Sequence, residues 1–418
     1  MASTALGEHW AKWSPLLGLK FRLPLQVEIQ IENHFEAKVY ATGSAIRGKV
    51  VITPLRDVEF DKIQIDLLGI SITRTSGILN DTLPTKLIFF QLAMPISPES
   101  LLQDKRLSAQ ETIEIPFFFV VPQQRPLSAC IHETHLELPP TIGTWEKTDQ
   151  SPETAKIEYS IRFRVTPARK DLEKLKPVEL HRYVKLLPSI FQEDALYTTD
   201  PTQEIRLGRS YEKSDSLTIA GIPPSLVYLS SDNGKISNPM ITAHLEFVTK
   251  TNSTRCPKIQ VKSAAVQTIT SYAQVHLAPT SGENGRQAAP LPHVVLCTKS
   301  KKVTVGHLQQ SEWQKAETPS DSEGTKYLST LTLSVNMPSH EKTTFLPSFD
   351  ACLISRSYAL RVGLAAQSAA GSGSTLELPF QVIVRDLAAP KLPKYAVTSR
   401  DQNHTQDALP AYRHSPFL

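Results

Sequence analysis

Strict alternation of apolar and polar residues, in short runs that never give way to a helical period, constrains this chain most. Ile157, Tyr159, Ile161, Phe163 and Val165 alternate with Glu158, Ser160, Arg162 and Arg164. The same period of two runs through Leu25, Val27, Ile29 and Ile31, and through Ile113, Ile115, Phe117 and Phe119. It returns at Ile241, Ala243, Leu245 and Phe247, at Leu331, Leu333 and Val335, at Tyr358, Leu360, Val362 and Leu364, and from Leu376 to Val384. Successive side chains of a strand point to opposite faces, so each run buries one face and wets the other. Turn clusters such as Thr42-Gly43-Ser44 and Pro139-Pro140-Thr141-Ile142-Gly143 punctuate the runs, and 31 prolines suit frequent turns better than long helices. The expected fold is all-β, two antiparallel β-sandwich domains joined by a short linker.

The pattern also sets expected boundaries. Residues 1–22 are an N-terminal segment, 23–187 a first sandwich, 188–214 a linker, 215–386 a second sandwich and 387–418 a tail. The linker is assigned where Pro201, Gly208 and polar residues interrupt the alternation. The sandwiches should meet near it, each with its own core. Pro98 to Lys105 is the fair helix candidate of the first half. Trp10, Trp13, Leu16 and Leu17 stand at roughly helical spacing, suiting either a membrane-surface helix or a segment lying on the first sandwich. The tail, with four prolines and little to bury, is expected to be disordered.

A formal charge of +4 over 418 residues is too small for a dedicated nucleic-acid binder. Cys130, Cys256, Cys297 and Cys352 are far apart and form no disulfide framework, so a reducing compartment is expected. With no leader-like or membrane-spanning apolar run, the expected location is cytoplasmic.

Cys130, His132 and His135 are the best metal candidates, but a structural zinc takes four placed ligands and no second pair has matching spacing. Gly371-Ser372-Gly373 lacks the lysine of a phosphate loop, and no nucleophile elbow is present. The expectation is a protein without metal, cofactor or catalytic site. Arg162, Arg164, Arg169, Lys170, Lys174 and Lys176, with Arg182 and Lys185, outnumber the acids around them. On adjacent strands several would share a face, suited to anionic lipid headgroups or an acidic cargo tail. The alternative is a solvated sheet face.

The tail holds the sharpest signal. Leu392-Pro393-Lys394-Tyr395 and Leu409-Pro410-Ala411-Tyr412 are both Leu-Pro-x-Tyr. A WW domain takes such a proline in an aromatic groove and the tyrosine in a second pocket. Composition gives roughly 0.1 Pro-x-Tyr triplets by chance in a segment this long, against the two found. Leu392, Pro393, Tyr395, Leu409, Pro410 and Tyr412 are therefore the expected WW-binding residues.

The stretch from Val39 to Leu68, with its Ile46-x-Gly48-x-Val50-x-Ile52 run and Val58-x-Phe60-x-x-Ile63-x-Ile65-x-Leu67, resembles the start of the arrestin N-terminal domain. Pro116-Phe117-Phe118-Phe119, Leu138 to Gly143, Tyr159 to Val165 and, in the second half, Leu346 to Leu360 extend the likeness. It is closest to the arrestin-related (α-arrestin) trafficking adaptors of fungi. The resemblance implies two arrestin-like sandwiches and a cytosolic adaptor. Its tail motifs would bring a WW-domain HECT-type ubiquitin ligase to the cytosolic tails of membrane transporters or receptors, at the plasma membrane or endosomes. The buried charged cluster of visual and β-arrestins is not recognisable here. An arrestin-fold sorting subunit of an endosomal coat, retromer-like and without ligase recruitment, is the alternative.

Overall fold

The structure, a computed structural model, describes residues 21–74, 84–95, 105–125, 133–168, 175–189, 202–205, 207, 211–224, 226–230, 234–250, 255–275, 277, 294–316, 324–339, 343–367 and 373–385. Among them the elements are strands, apart from a single 3-10 turn at Glu133–Leu136. The tail motifs, residues 1–20 and all but the last residue of the Pro98–Lys105 helix candidate lie outside the described residues.

Two main sheets, with a short parallel pair of Phe21–Arg22 and Leu175–Lys176 beside them, form the first half. One runs in the order Val39–Tyr40, Val178–Leu186, Ala155–Pro167, Val58–Thr73, Thr85–Ala93, with Arg106–Leu107 also on Val58–Thr73. The other is Leu25–Ile31, Ala45–Pro54, Ile113–Val120. The second half repeats the plan. One sheet runs Thr202–Ile205, Ser216–Ile222, Met240–Thr249, Thr325–Asn336, Thr304–Gln310, and the other Leu226–Ser230, Ser374–Arg385, Ile354–Ala366, Ile259–Ala273, Val294–Lys302. The long neighbours are antiparallel, and parallel pairing is confined to short strands such as Leu226–Ser230 against Ser374–Arg385. The architecture is all-β and of the arrestin-like sandwich type.

Alternation becomes layering directly. In Ala45–Pro54 the residues Ile46, Gly48, Val50 and Ile52 are buried, and the polar Arg47 stands exposed between them. Gly48 is required by contact: a Cβ there would lie 2.1 Å from the Gln30 carbonyl oxygen and 2.7 Å from the Phe117 ring. Gly43, at φ +80°, makes the turn that launches this strand.

Two features go beyond the sequence pattern. The stretch 188–214 is not wholly irregular, because Thr202–Ile205 is an edge strand paired with Ser216–Ile222. Ile205 alone of its four residues is buried, which leaves no alternation to read. The two halves also pack against each other. The sheets each draw on one half, but the buried apolar side chains of both halves form one contiguous cluster. Turns of the first half reach into the second, and turn residues carry no period that announces such a contact.

Candidate functional site

The halves meet through a polar seam built on one turn. Gly143, at φ +80°, turns the chain out of the first sandwich. Asp149 then folds the turn on itself: its carboxylate accepts from the Gly143 N–H at 2.6 Å and from the Ser151 N–H at 2.9 Å. Gln150 sits at φ 60°, a left-handed conformation that costs a non-glycine residue and recurs where the surroundings hold it.

Thr148 to Ser151 all touch the second half. The Thr344 N–H donates to the Thr148 carbonyl at 2.9 Å. Arg356 donates through Nη1 to the Asp149 carbonyl at 2.9 Å, and through Nη2 to Ser151 Oγ at 2.8 Å and Thr270 Oγ1 at 3.2 Å. The Thr268 hydroxyl donates to the Gln150 side-chain oxygen. Lys299 Nζ donates to the Ser151 carbonyl at 2.8 Å, and Lys301 to the Thr343 hydroxyl. Arg356 is only 2% exposed, and its Nε is buried without a hydrogen-bond partner among the described residues. A buried guanidinium thus rests on neutral carbonyl and hydroxyl oxygens, which hold a cation less tightly than carboxylates do.

The seam continues on both sides. Thr154 Oγ1 donates to the Tyr272 hydroxyl at 2.7 Å, and Thr73 Oγ1 to the Ala273 carbonyl at 2.8 Å. Buried His135 lies 3.6 Å from the Asp350 carboxylate, and the buried Arg125 guanidinium stands over the Phe89 ring, 3.9 Å from Cys352 Sγ. Tyr358 donates to the Leu346 carbonyl at 2.8 Å, and burial raises its phenol above the ordinary tyrosine range.

Where it is described, the expected basic face leaves Lys176 and Arg182 exposed, while Arg162 and Arg164 face carboxylates. Arg162 is buried and donates twice to the fully buried Asp66, at 2.7 and 3.1 Å. Arg164, half-exposed, lies 4.0 Å from Glu179. The strand register does this: Arg162 is opposite Asp66 and Arg164 opposite Glu179, pairings that spacing along one strand cannot reveal. Lys176 is exposed, on the short strand Leu175–Lys176, while Arg169, Lys170 and Lys174 lie outside the described residues. Cys130 and His132 lie outside as well, and His135 belongs to the seam. Among the described residues no group of three or more His, Cys, Asp or Glu side chains could hold a metal ion.

One line of groups has catalytic order. Ser160 Oγ is 3.0 Å from His181 Nδ1, and His181 Nε2 is 2.9 Å from Glu179 Oε1. The His181 bond, opposed in part by burial, holds the Glu179 carboxyl below its usual range. A serine nucleophile also needs donors aimed at a developing oxyanion. Ser160 is buried in a strand paired on both sides, so the backbone donors around it belong to the ladder. The line serves as cross-strand support.

A pair of sandwiches fastened by a polar seam defines an arrestin-type scaffold, and the chain resembles the arrestin-related adaptors. Residues 225–385 match the family model described as the Bul1 C terminus. That span runs from Leu226–Ser230 to Ser374–Arg385 and includes Arg356, Thr268, Thr270 and Lys299. The chain is also 31% identical over 104 residues to the uncharacterized protein YNR068C of Saccharomyces cerevisiae. That match covers 23% of this chain and 36% of the relative, so the chain spans about a third of the relative it matches.

Proposed function

We propose that this protein is a cytoplasmic adaptor that brings a WW-domain HECT-type ubiquitin ligase to plasma-membrane transporters or receptors, for ubiquitination and endocytosis. The observation that carries the reading is the paired Leu-Pro-x-Tyr sequence, Leu392 to Tyr395 and Leu409 to Tyr412. The Bul1-type match over residues 225–385 and the arrestin-like scaffold support it. The sandwiches would present the cargo-binding surface, and the tail would hold the ligase. With Arg162 and Arg164 facing carboxylates, exposed Lys176 and Arg182 are the described candidates from the basic set for contact with cargo or an anionic membrane.

The test is a pull-down of the full chain by tandem WW domains, followed by a cargo ubiquitination assay in cells. Tyr395→Ala and Tyr412→Ala should each reduce ligase capture, since each empties one tyrosine pocket. The double change should abolish capture while thermal unfolding stays unchanged. Two weak contacts on one chain reinforce each other by up to about 10²–10⁴-fold where geometry allows both. A double variant that still captures ligase and still drives cargo ubiquitination refutes the proposal.

A further inference from the structure

We infer that Ser151 is a phosphorylation site, and that its phosphate clamps the two halves together across the seam. Ser151 is half-buried, at the rim of the cluster, and Pro152 follows it, so a proline-directed serine kinase has its minimal Ser-Pro sequence. Its Oγ already lies 2.8 Å from Arg356 Nη2, and its carbonyl 2.8 Å from Lys299 Nζ. Lys299 is exposed, so its ammonium can swing from the carbonyl to a phosphate without unpacking the core.

The seam is short of negative charge on the Arg356 side. The hydrogen bonds of that guanidinium go to neutral oxygens, and its Nε is buried without a partner among the described residues. A phosphoserine carries close to two negative charges and three strong acceptor oxygens, and opposite an arginine it forms charge-assisted bonds. Asp149 brings a carboxylate into the same cluster and opposes a second anion. Its oxygens, however, are held by the N–H groups of Gly143 and Ser151, on its own turn. Two cations, Arg356 and Lys299, then face the phosphate.

The chemistry balances with ATP as co-substrate. The Ser151 oxygen forms a bond to the γ-phosphorus, the bond from that phosphorus to the β,γ-bridging oxygen breaks, and ADP leaves. The hydroxyl proton passes to the kinase's base.

Two measurements on the full chain test the inference. In the first, the protein is incubated with a proline-directed kinase and ATP and mapped by mass spectrometry. Phosphate at Ser151 is expected, and none at that residue overturns the assignment. In the second, phosphoserine is installed at position 151 during translation and amide hydrogen exchange is compared with the unmodified chain. Exchange in residues 148–151 and 343–346 should slow about tenfold or more, the gain of one charge-assisted hydrogen bond. Lys299→Ala, at an exposed side chain, should remove a large part of that protection and leave the unmodified protein's thermal unfolding nearly unchanged. Exchange that is unaltered or faster with phosphoserine, or protection indifferent to Lys299→Ala, overturns the clamp.

Discussion

Asp66 and Arg162 sit opposite each other on Val58–Thr73 and Ala155–Pro167, joined by two hydrogen bonds of 2.7 and 3.1 Å to one carboxylate oxygen. The other oxygen accepts from Gln91 Nε2 at 3.2 Å, so the carboxylate is held on both sides. Asp66 is fully buried. Removing its cation strands a charge away from water, which costs about 3–5 kcal/mol for a pair of this kind. Arg162→Ala should lower the denaturant midpoint accordingly. The double change Asp66→Leu with Arg162→Met should recover much of the loss, because an apolar pair of similar volume needs no compensation. Urea unfolding of the single and double variants measures both.

Gly48 predicts a steric effect. A methyl group there meets the Gln30 backbone at 2.1 Å and the Phe117 ring at 2.7 Å, closer than real Cβ contacts come. Backbone cannot step aside as a side-chain end can. Gly48→Ala should destabilise by ~1–3 kcal/mol, the range for overpacking a core. Thermal unfolding reads it, and a variant as stable as the parent would show that Leu25–Ile31 shifts freely.

Much of this was legible from the sequence, and the limits have physical causes. The run 157–165 stands as a strand because alternation of apolar and polar residues is a local property, even though Ser160 and Arg162 on its polar side are buried too. Thr202–Ile205 escapes the pattern because an edge strand with one buried residue leaves no period. Arg162 stands on the polar phase of its strand, and the carboxylate that takes up its charge is 96 residues away in sequence. The seam was invisible for the same reason. Arg356 reaches Asp149 across 207 residues, and nothing along either segment records that approach. A charged residue in phase with apolar ones, as Arg356 is with Ile354, Tyr358 and Leu360, is the available hint. The tail motifs, outside the described residues, rest on sequence chemistry alone.

Tyr358 and Tyr159 extend the argument to alkaline pH. The Tyr358 hydroxyl donates to the Leu346 carbonyl and the Tyr159 hydroxyl to the Pro139 carbonyl, and burial raises both phenols. A raised folded value means the stabilisation is intact below the unfolded value near 10 and is lost as pH rises beyond it. Absorbance at the phenolate band should therefore show two tyrosines that titrate only with unfolding. Tyr358→Phe should remove one of them and cost about 1–3 kcal/mol, by leaving the Leu346 carbonyl buried and unsatisfied.

Glu179 carries the acid limb. The hydrogen bond from His181 is the largest effect on its carboxyl, burial opposes it, and His181, Arg162 and Arg164 add attraction. The net result is a folded value below the ordinary glutamate value of 4.5. A depressed carboxylate stabilises the fold fully above its unfolded value and loses that contribution as pH falls through the folded value. The window therefore opens near pH 4.5 and extends downward. Solvent reaches this group, since its side chain is 40% exposed, so the contribution is screened to below about 1 kcal/mol. Glu179→Gln should leave unfolding at pH 7 within that margin and flatten the decline in stability between pH 5 and pH 3, with added salt narrowing the difference. An acid limb unchanged by Glu179→Gln would mean that the cross-strand line from Ser160 through His181 contributes no charge-dependent stability.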